Sequence, residues 1–164
     1  MMKKLSAILL ACMLVLGLTA CGEDAPVQPE IKDNYVFTYN GIEIMMDVEA
    51  TQIVAALGTP KSYTEETSCA FEGLDKTYYY GSFYLSTYPM DNKDFVYSVW
   101  FADDNVATAE GIRIGSTQAQ VESAYGTANY NGSNAFVMTK GDSKLTIILT
   151  DGEVSSVQYE IILD

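Results

Sequence analysis

Histidine is missing from all 164 residues, and cations are scarce: nine Lys and Arg stand against 22 Asp and Glu, a formal charge of −13. Without imidazole there is no Ser-His-Asp or Cys-His catalysis, no imidazole proton shuttle and no His-ligated zinc or haem. The shortage of Lys and Arg argues against a nucleic-acid partner, because phosphates are bound by those side chains. No phosphate loop, Gly-x-Ser-x-Gly elbow or dinucleotide fingerprint occurs, and no spacing selects a catalytic carboxylate pair. The chain therefore reads as non-enzymatic, with no cofactor and no metal expected. What it does contain is a globular composition: 48% apolar, 12% aromatic and only 19% charged, unlike a disordered segment.

The one long apolar run lies at the N-terminus. Lys3 and Lys4 precede an apolar stretch from Leu5 to Leu18, shorter than the roughly 20 residues a spanning helix needs, in the order of a secretory signal. It ends in Leu18-Thr19-Ala20-Cys21, which resembles the bacterial lipobox. That resemblance implies cleavage before Cys21 and a diacylglyceryl thioether on its sulfur, in many bacteria with a third acyl chain. Two or three chains make an anchor stable where one is marginal. The expected location is the extracytoplasmic face of the cell membrane, or the outer membrane if the cell has two.

Processing at this site leaves residues 21–164, a single domain or two small fused repeats. Cys12 departs with the signal and Cys21 is alkylated, so Cys69 remains alone and no intrachain disulfide is expected. Residues 21–34, rich in Asp, Glu and Pro, read as an acidic flexible tether.

Beyond the tether the chain echoes itself. Gly41-Ile42-Glu43-Ile44 recurs as Gly111-Ile112-Arg113-Ile114, and Gln52 to Thr59 recurs as Gln120 to Thr127. Val96 to Phe101 lines up with Val154 to Tyr159, and Ser68 to Phe71 with Ser133 to Phe136. All four matches keep their order, which predicts tandem repeats over 35–105 and 106–164. Each contains a short helix. Asp47 is the expected cap of the first, with Ala50, Ile53, Val54 and Leu57 as its apolar face and Gly58 as its stop. Ser116 or Thr117 caps the second, Thr117 forming a capping box with Gln120, and Gly126 ends it.

Strands show as alternation around turn residues. Asn40-Gly41, Gly81-Ser82 and Asp151-Gly152 each separate two such runs and predict hairpins. The expected fold class is α+β: an antiparallel sheet with short helices packed on one face and the other face left to solvent or a partner.

An Ile-x-Ile-Gly strand, a helix ending in glycine and an antiparallel meander, repeated, resemble the beta-lactamase inhibitory protein and the single-unit SmpA/OmlA outer-membrane assembly lipoproteins. The Ile112-Arg113-Ile114-Gly115-Ser116 to Tyr125-Gly126 stretch matches best. The resemblance implies a non-catalytic protein binder that uses a sheet face or edge. The chain departs from the inhibitor in lacking its disulfides.

Five of the twelve tyrosines fall between Tyr78 and Tyr88. Alternation, transferred from the last strand by the repeat, turns Val99 and Phe101 inward and Trp100 outward, with Tyr84 and Tyr88 beside it and Tyr79 paired to Tyr84. Large amphipathic rings on an open face bury much area at little rotameric cost, so Trp100, Tyr84, Tyr88 and Tyr79 are the expected partner-binding residues. The alternative is that they pack on one another. A monomer that binds a protein partner is the first expectation; a glycan or small-ligand binder using the same rings is the second. Cys69, among Glu65, Glu66 and Glu72, reads as a buried structural cysteine. Asp91 to Asp94 and Asp103 to Asn105 read as solvated turns rather than calcium loops.

Overall fold

The computed structural model describes residues 33–163. The signal segment 1–20, Cys21 and the tether up to residue 32 lie outside the described residues. Asn34, assigned to the tether from composition, belongs to the domain: it is 1% exposed, its amide donates to the Met46 carbonyl and its Oδ1 accepts from the Asp142 amide.

The order of elements is β1 (Val36–Tyr39), β2 (Ile42–Met45), α1 (Thr51–Leu57), β3 (Ser62–Thr67), β4 (Leu74–Tyr79), β5 (Phe83–Met90), β6 (Lys93–Phe101), α2 (Gln118–Tyr125), β7 (Ala135–Lys140), β8 (Ser143–Thr150) and β9 (Glu153–Ile161). β1 and β2 form a separate hairpin, and the other strands make one antiparallel sheet in the order β3-β4-β5-β6-β9-β8-β7. The α+β expectation holds at this level. All three expected hairpins form. Asn40 and Gly41 adopt φ of 50° and 80°, and Asp151 and Gly152 adopt 54° and 83°, the left-handed pair that a type I′ turn needs.

The edge strands were not legible in the alternation. β3, Ser-Tyr-Thr-Glu-Glu-Thr, is exposed along its whole length, so it has no buried face to impose a period of two. Its acidic side chains also blunt a free edge.

The two hairpins beside the seam share one register. Phe83 pairs with Phe101, Tyr84 with Trp100 and Leu85 with Val99; Leu145 pairs with Tyr159, Thr146 with Gln158 and Ile147 with Val157. Each then shifts: Ser86 faces Ser98 but Thr87 faces Val96, while Ile148 faces Ser156 but Leu149 faces Val154. Tyr97 and Ser155 are thus the extra residues of two matching β-bulges. The segments entering the helices dock alike. Asp47 N–H donates to Val96 and receives the return bond through Val48, at 2.9 Å each; Gly115 and Ser116 do the same with Val154 at 2.8 Å. The fourth sequence echo fails in this register. Phe136 pairs with Ile147 as Tyr78 pairs with Leu85, so its counterpart is Tyr78, and Phe71 lies in the β3–β4 loop.

One face of the sheet carries the core, which includes Phe83, Leu85, Val99, Phe101, Leu145, Ile147, Val157 and Tyr159. The β1–β2 hairpin closes over it through Phe37, whose ring lies 5.2 Å from both Phe83 and Phe101 and 6.1 Å from Tyr159. Val121 of α2 joins the core fully buried, while Ile53, Val54 and Leu57 of α1 pack on it partly exposed. The second helix start matches expectation, with Thr117 as N-cap and a complete capping box with Gln120. The first does not. Its N-cap is Ala50 with no side-chain bond, and Asp47 lies too far upstream, at φ 64°, with its carboxylate used elsewhere.

Candidate functional site

Register fixes what the outer face carries. Ser62, Tyr79, Tyr84, Trp100, Gln158, Thr146 and Val137 pair in succession across all seven strands, so they form one row. Its first half is aromatic. Tyr79 stacks on Tyr84 with centroids 4.6 Å apart, and Tyr84 lies 5.8 Å from Trp100. Trp100 is 51% exposed, and the two tyrosines are half-buried. The rings form a continuous, nearly parallel platform, with interplanar angles of 23° and 33°. The next row, Thr64, Thr77, Ser86, Ser98, Glu160, Lys144 and Thr139, is polar throughout.

Three of the four expected contact residues are therefore brought together. Tyr88 is not among them. The β3–β4 loop folds back over this end of the sheet and places Phe71 4.8 Å from the Tyr88 ring, with Phe95 at 5.9 Å and Tyr97 at 6.4 Å. Tyr88 is left 5% exposed, and its hydroxyl donates to Asp47 at 2.5 Å. Burial first, and then the bonded carboxylate, push its phenol well above the usual tyrosine range. Alternation gives the correct side of the strand for Tyr88, but not the loop that covers it.

Cys69 corrects the sequence reading in the opposite sense, because its thiol is exposed on that loop. The acidic clusters act as turn chemistry. Asp91 and Asn92 adopt φ of 51° and 59° between β5 and β6. Asp103 accepts from the Asn105 amide at 2.9 Å and from Ser82 at 3.2 Å, bonds that hold its carboxyl below the ordinary range. Among the described residues, no group of three or more His, Cys, Asp or Glu side chains is placed to hold a metal ion.

A feature that sequence reasoning missed is a cavity of about 280 Å³ under the β3–β4 loop, lined by Glu66, Phe71, Asp75, Thr77, Ser86 and Tyr88 among others. Finding it required knowing that β3 is a strand and that Glu66 faces Asp75 across it. No family model, curated protein or solved structure matches this chain.

Proposed function

We propose that this protein is a lipid-anchored extracytoplasmic lipoprotein whose domain is a non-catalytic, monomeric protein-binding module, with the Tyr79–Tyr84–Trp100 platform as its contact surface. The observation that carries this reading is the contrast between the two halves of the aromatic row. In matching register, the places of Tyr79, Tyr84 and Trp100 are taken by Val137, Thr146 and Gln158. The same backbone forms without rings, so strand formation does not call for them. Three contiguous rings, led by a half-exposed tryptophan, have the composition of an interface centre. Stacked side by side on an open sheet face, they suit a protein surface better than a sugar, which would sit in a cleft with flanking polar groups.

The matching registers, paired bulges and docking bonds support a tandem duplication, and with it the inhibitor-like or envelope-accessory reading. Lys3, Lys4, the short apolar run and the lipobox ending at Cys21 support the anchor. Among the described residues no helix is long and apolar enough to cross a membrane.

The test is photo-cross-linking in the native envelope from a probe at position 100, with a probe at Thr146 as the comparison. One discrete protein adduct at 100, weak at 146 and lost on Tyr84→Thr, is the expected result. A folded protein that yields no adduct at 100 overturns the reading and turns attention to glycans. For the anchor, Cys21→Ser is expected to abolish palmitate labelling.

A further inference from the structure

The cavity under the β3–β4 loop shares the outer face with the aromatic platform, reached along β5 from Tyr84 through Ser86 to Tyr88. Its chemistry is one-sided. Glu66 and Asp75 face each other directly across β3 and β4, an arrangement of like charges that is unfavourable by itself. Oδ1 of Asp75 is buried with no hydrogen-bond partner. The cation in the lining, Lys76, is already committed: its Nζ lies 2.6 Å from Asp94, and that bond holds its pKa above the ordinary value. Buried polar groups are normally satisfied, so an unpartnered oxygen within an unbalanced carboxylate pair defines what is missing: a cationic donor.

The walls narrow the choice of cation. Phe71, Tyr88 and Tyr97 line the space, with Phe71 and Tyr88 4.8 Å apart. Aromatic faces favour a planar, weakly hydrated cation over a compact ammonium. Thr77 and Ser86, 3.3 Å apart across β4 and β5, add hydroxyl acceptors along the floor, and a guanidinium has five donors in a fixed fork. At about 280 Å³ the cavity lies just below the range of whole small-molecule sites, about 300–1,000 Å³. That is room for one side chain.

We infer that this cavity is a guanidinium pocket that receives an arginine side chain of the protein docked on the Tyr79–Tyr84–Trp100 platform. The inference rests on the protein-binding reading above and adds the partner's chemistry: an exposed arginine beside an apolar patch. The acidic balance of the whole chain, −13, favours the same partner through long-range attraction.

The first arm of the test is an amide NMR titration with N-acetyl-arginine-amide, and with its neutral isostere N-acetyl-citrulline-amide. Saturable shifts at Thr77, Ser86 and the 68–73 loop are expected for arginine, with citrulline about tenfold weaker because it lacks the charge-assisted bond. Asp75→Asn, isosteric and checked for an unchanged melting curve, is expected to remove the preference. Equal response to both ligands, or no shift at the cavity, overturns the inference and leaves the platform reading standing. The second arm repeats the cross-link from position 100 in Asp75→Asn, where a weakened adduct is expected. If arginine binds but the adduct is indifferent to Asp75, the pocket serves a free guanidine compound and the partner's arginine is excluded. If no adduct forms with wild type while arginine still binds, the platform reading fails separately.

Discussion

Tyr88 and Asp47, 41 residues apart in the chain, meet in a 2.5 Å hydrogen bond from phenol to carboxylate. Asp47 holds a left-handed φ of 64° at the position where the second half of the molecule has Gly115, at φ 84°. Glycine adopts that conformation freely, whereas a side chain there costs about 1–3 kcal/mol. The bond from a phenol that is otherwise buried offsets that cost.

Substitutions at Asp47 should therefore rank in a definite order. Asp47→Asn keeps an acceptor and tolerates the left-handed region, so it should cost least. Asp47→Gly relieves the backbone but leaves the Tyr88 hydroxyl buried and unpaired, a loss of about 1–3 kcal/mol. Asp47→Ala incurs both penalties and should lower stability most. Urea denaturation midpoints check the ranking, and an alanine variant as stable as wild type would refute it.

Tyrosine ionisation sets the alkaline limit of the fold. Burial raises the phenols of Tyr88, Tyr125 and Tyr159 well above the ordinary range. The carboxylates of Asp47, bonded to Tyr88, and Glu110, bonded to Tyr125, add to it. A group whose pKa is raised on folding lends stability below its unfolded value and loses it as pH climbs toward the folded one. The unfolded phenol titrates near about 10, so stability should be flat with respect to these groups below pH of about 9 and fall steadily above about 10. Melting temperature against pH, with phenolate absorbance followed in parallel, tests this. These three rings should ionise only with unfolding, and early ionisation of all twelve would contradict it.

The central hairpins, the capping box and the outward aim of Tyr84 and Trp100 were readable because each rests on a local pattern: Asn-Gly and Asp-Gly turns, Thr-x-x-Gln spacing, alternation along a half-buried strand. Cys69 as a core residue and Tyr88 as a contact residue failed for a shared reason, whereas Asp47 failed as a cap because the helix starts further on, at Ala50. Both depend on where the β3–β4 loop lies, and that loop is placed by an edge strand with no apolar face to announce it. Glu66 and Asp75 look like ordinary surface acids until β3 and β4 are paired.

Phe37, with Tyr39 and Ile44, is a side chain through which the β1–β2 hairpin grips the sheet. Its ring touches Phe83, Phe101 and Tyr159 and is 1% exposed. The hairpin is otherwise a separate two-stranded sheet, and such hairpins are marginal alone. Phe37→Ala should cost about 3–5 kcal/mol, and amide exchange should speed up first in residues 36–45. Uniform acceleration across the whole sheet would mean instead that the hairpin and sheet unfold as one unit.

The two helices start differently, and this difference is measurable. α2 has a reciprocal cap: the Gln120 amide donates to the Thr117 hydroxyl at 3.3 Å, and the Thr117 amide donates to the Gln120 side chain at 2.8 Å. α1 starts at Ala50 with no side-chain cap, and the Thr51 hydroxyl donates to exposed Glu49 at 3.1 Å instead. Removing a cap costs about 0.5–2 kcal/mol, whereas an exposed side-chain bond beside water contributes little. Thr117→Ala should lower stability by about 1 kcal/mol, and Thr51→Ala should change it by less than about 0.5 kcal/mol. Thr117→Ser, which keeps the hydroxyl, should recover most of the loss. If Ser and Ala at 117 are equally destabilising, the methyl group rather than the cap holds α2 in place. Comparing the three variants by denaturant midpoint therefore separates capping from packing at a single residue.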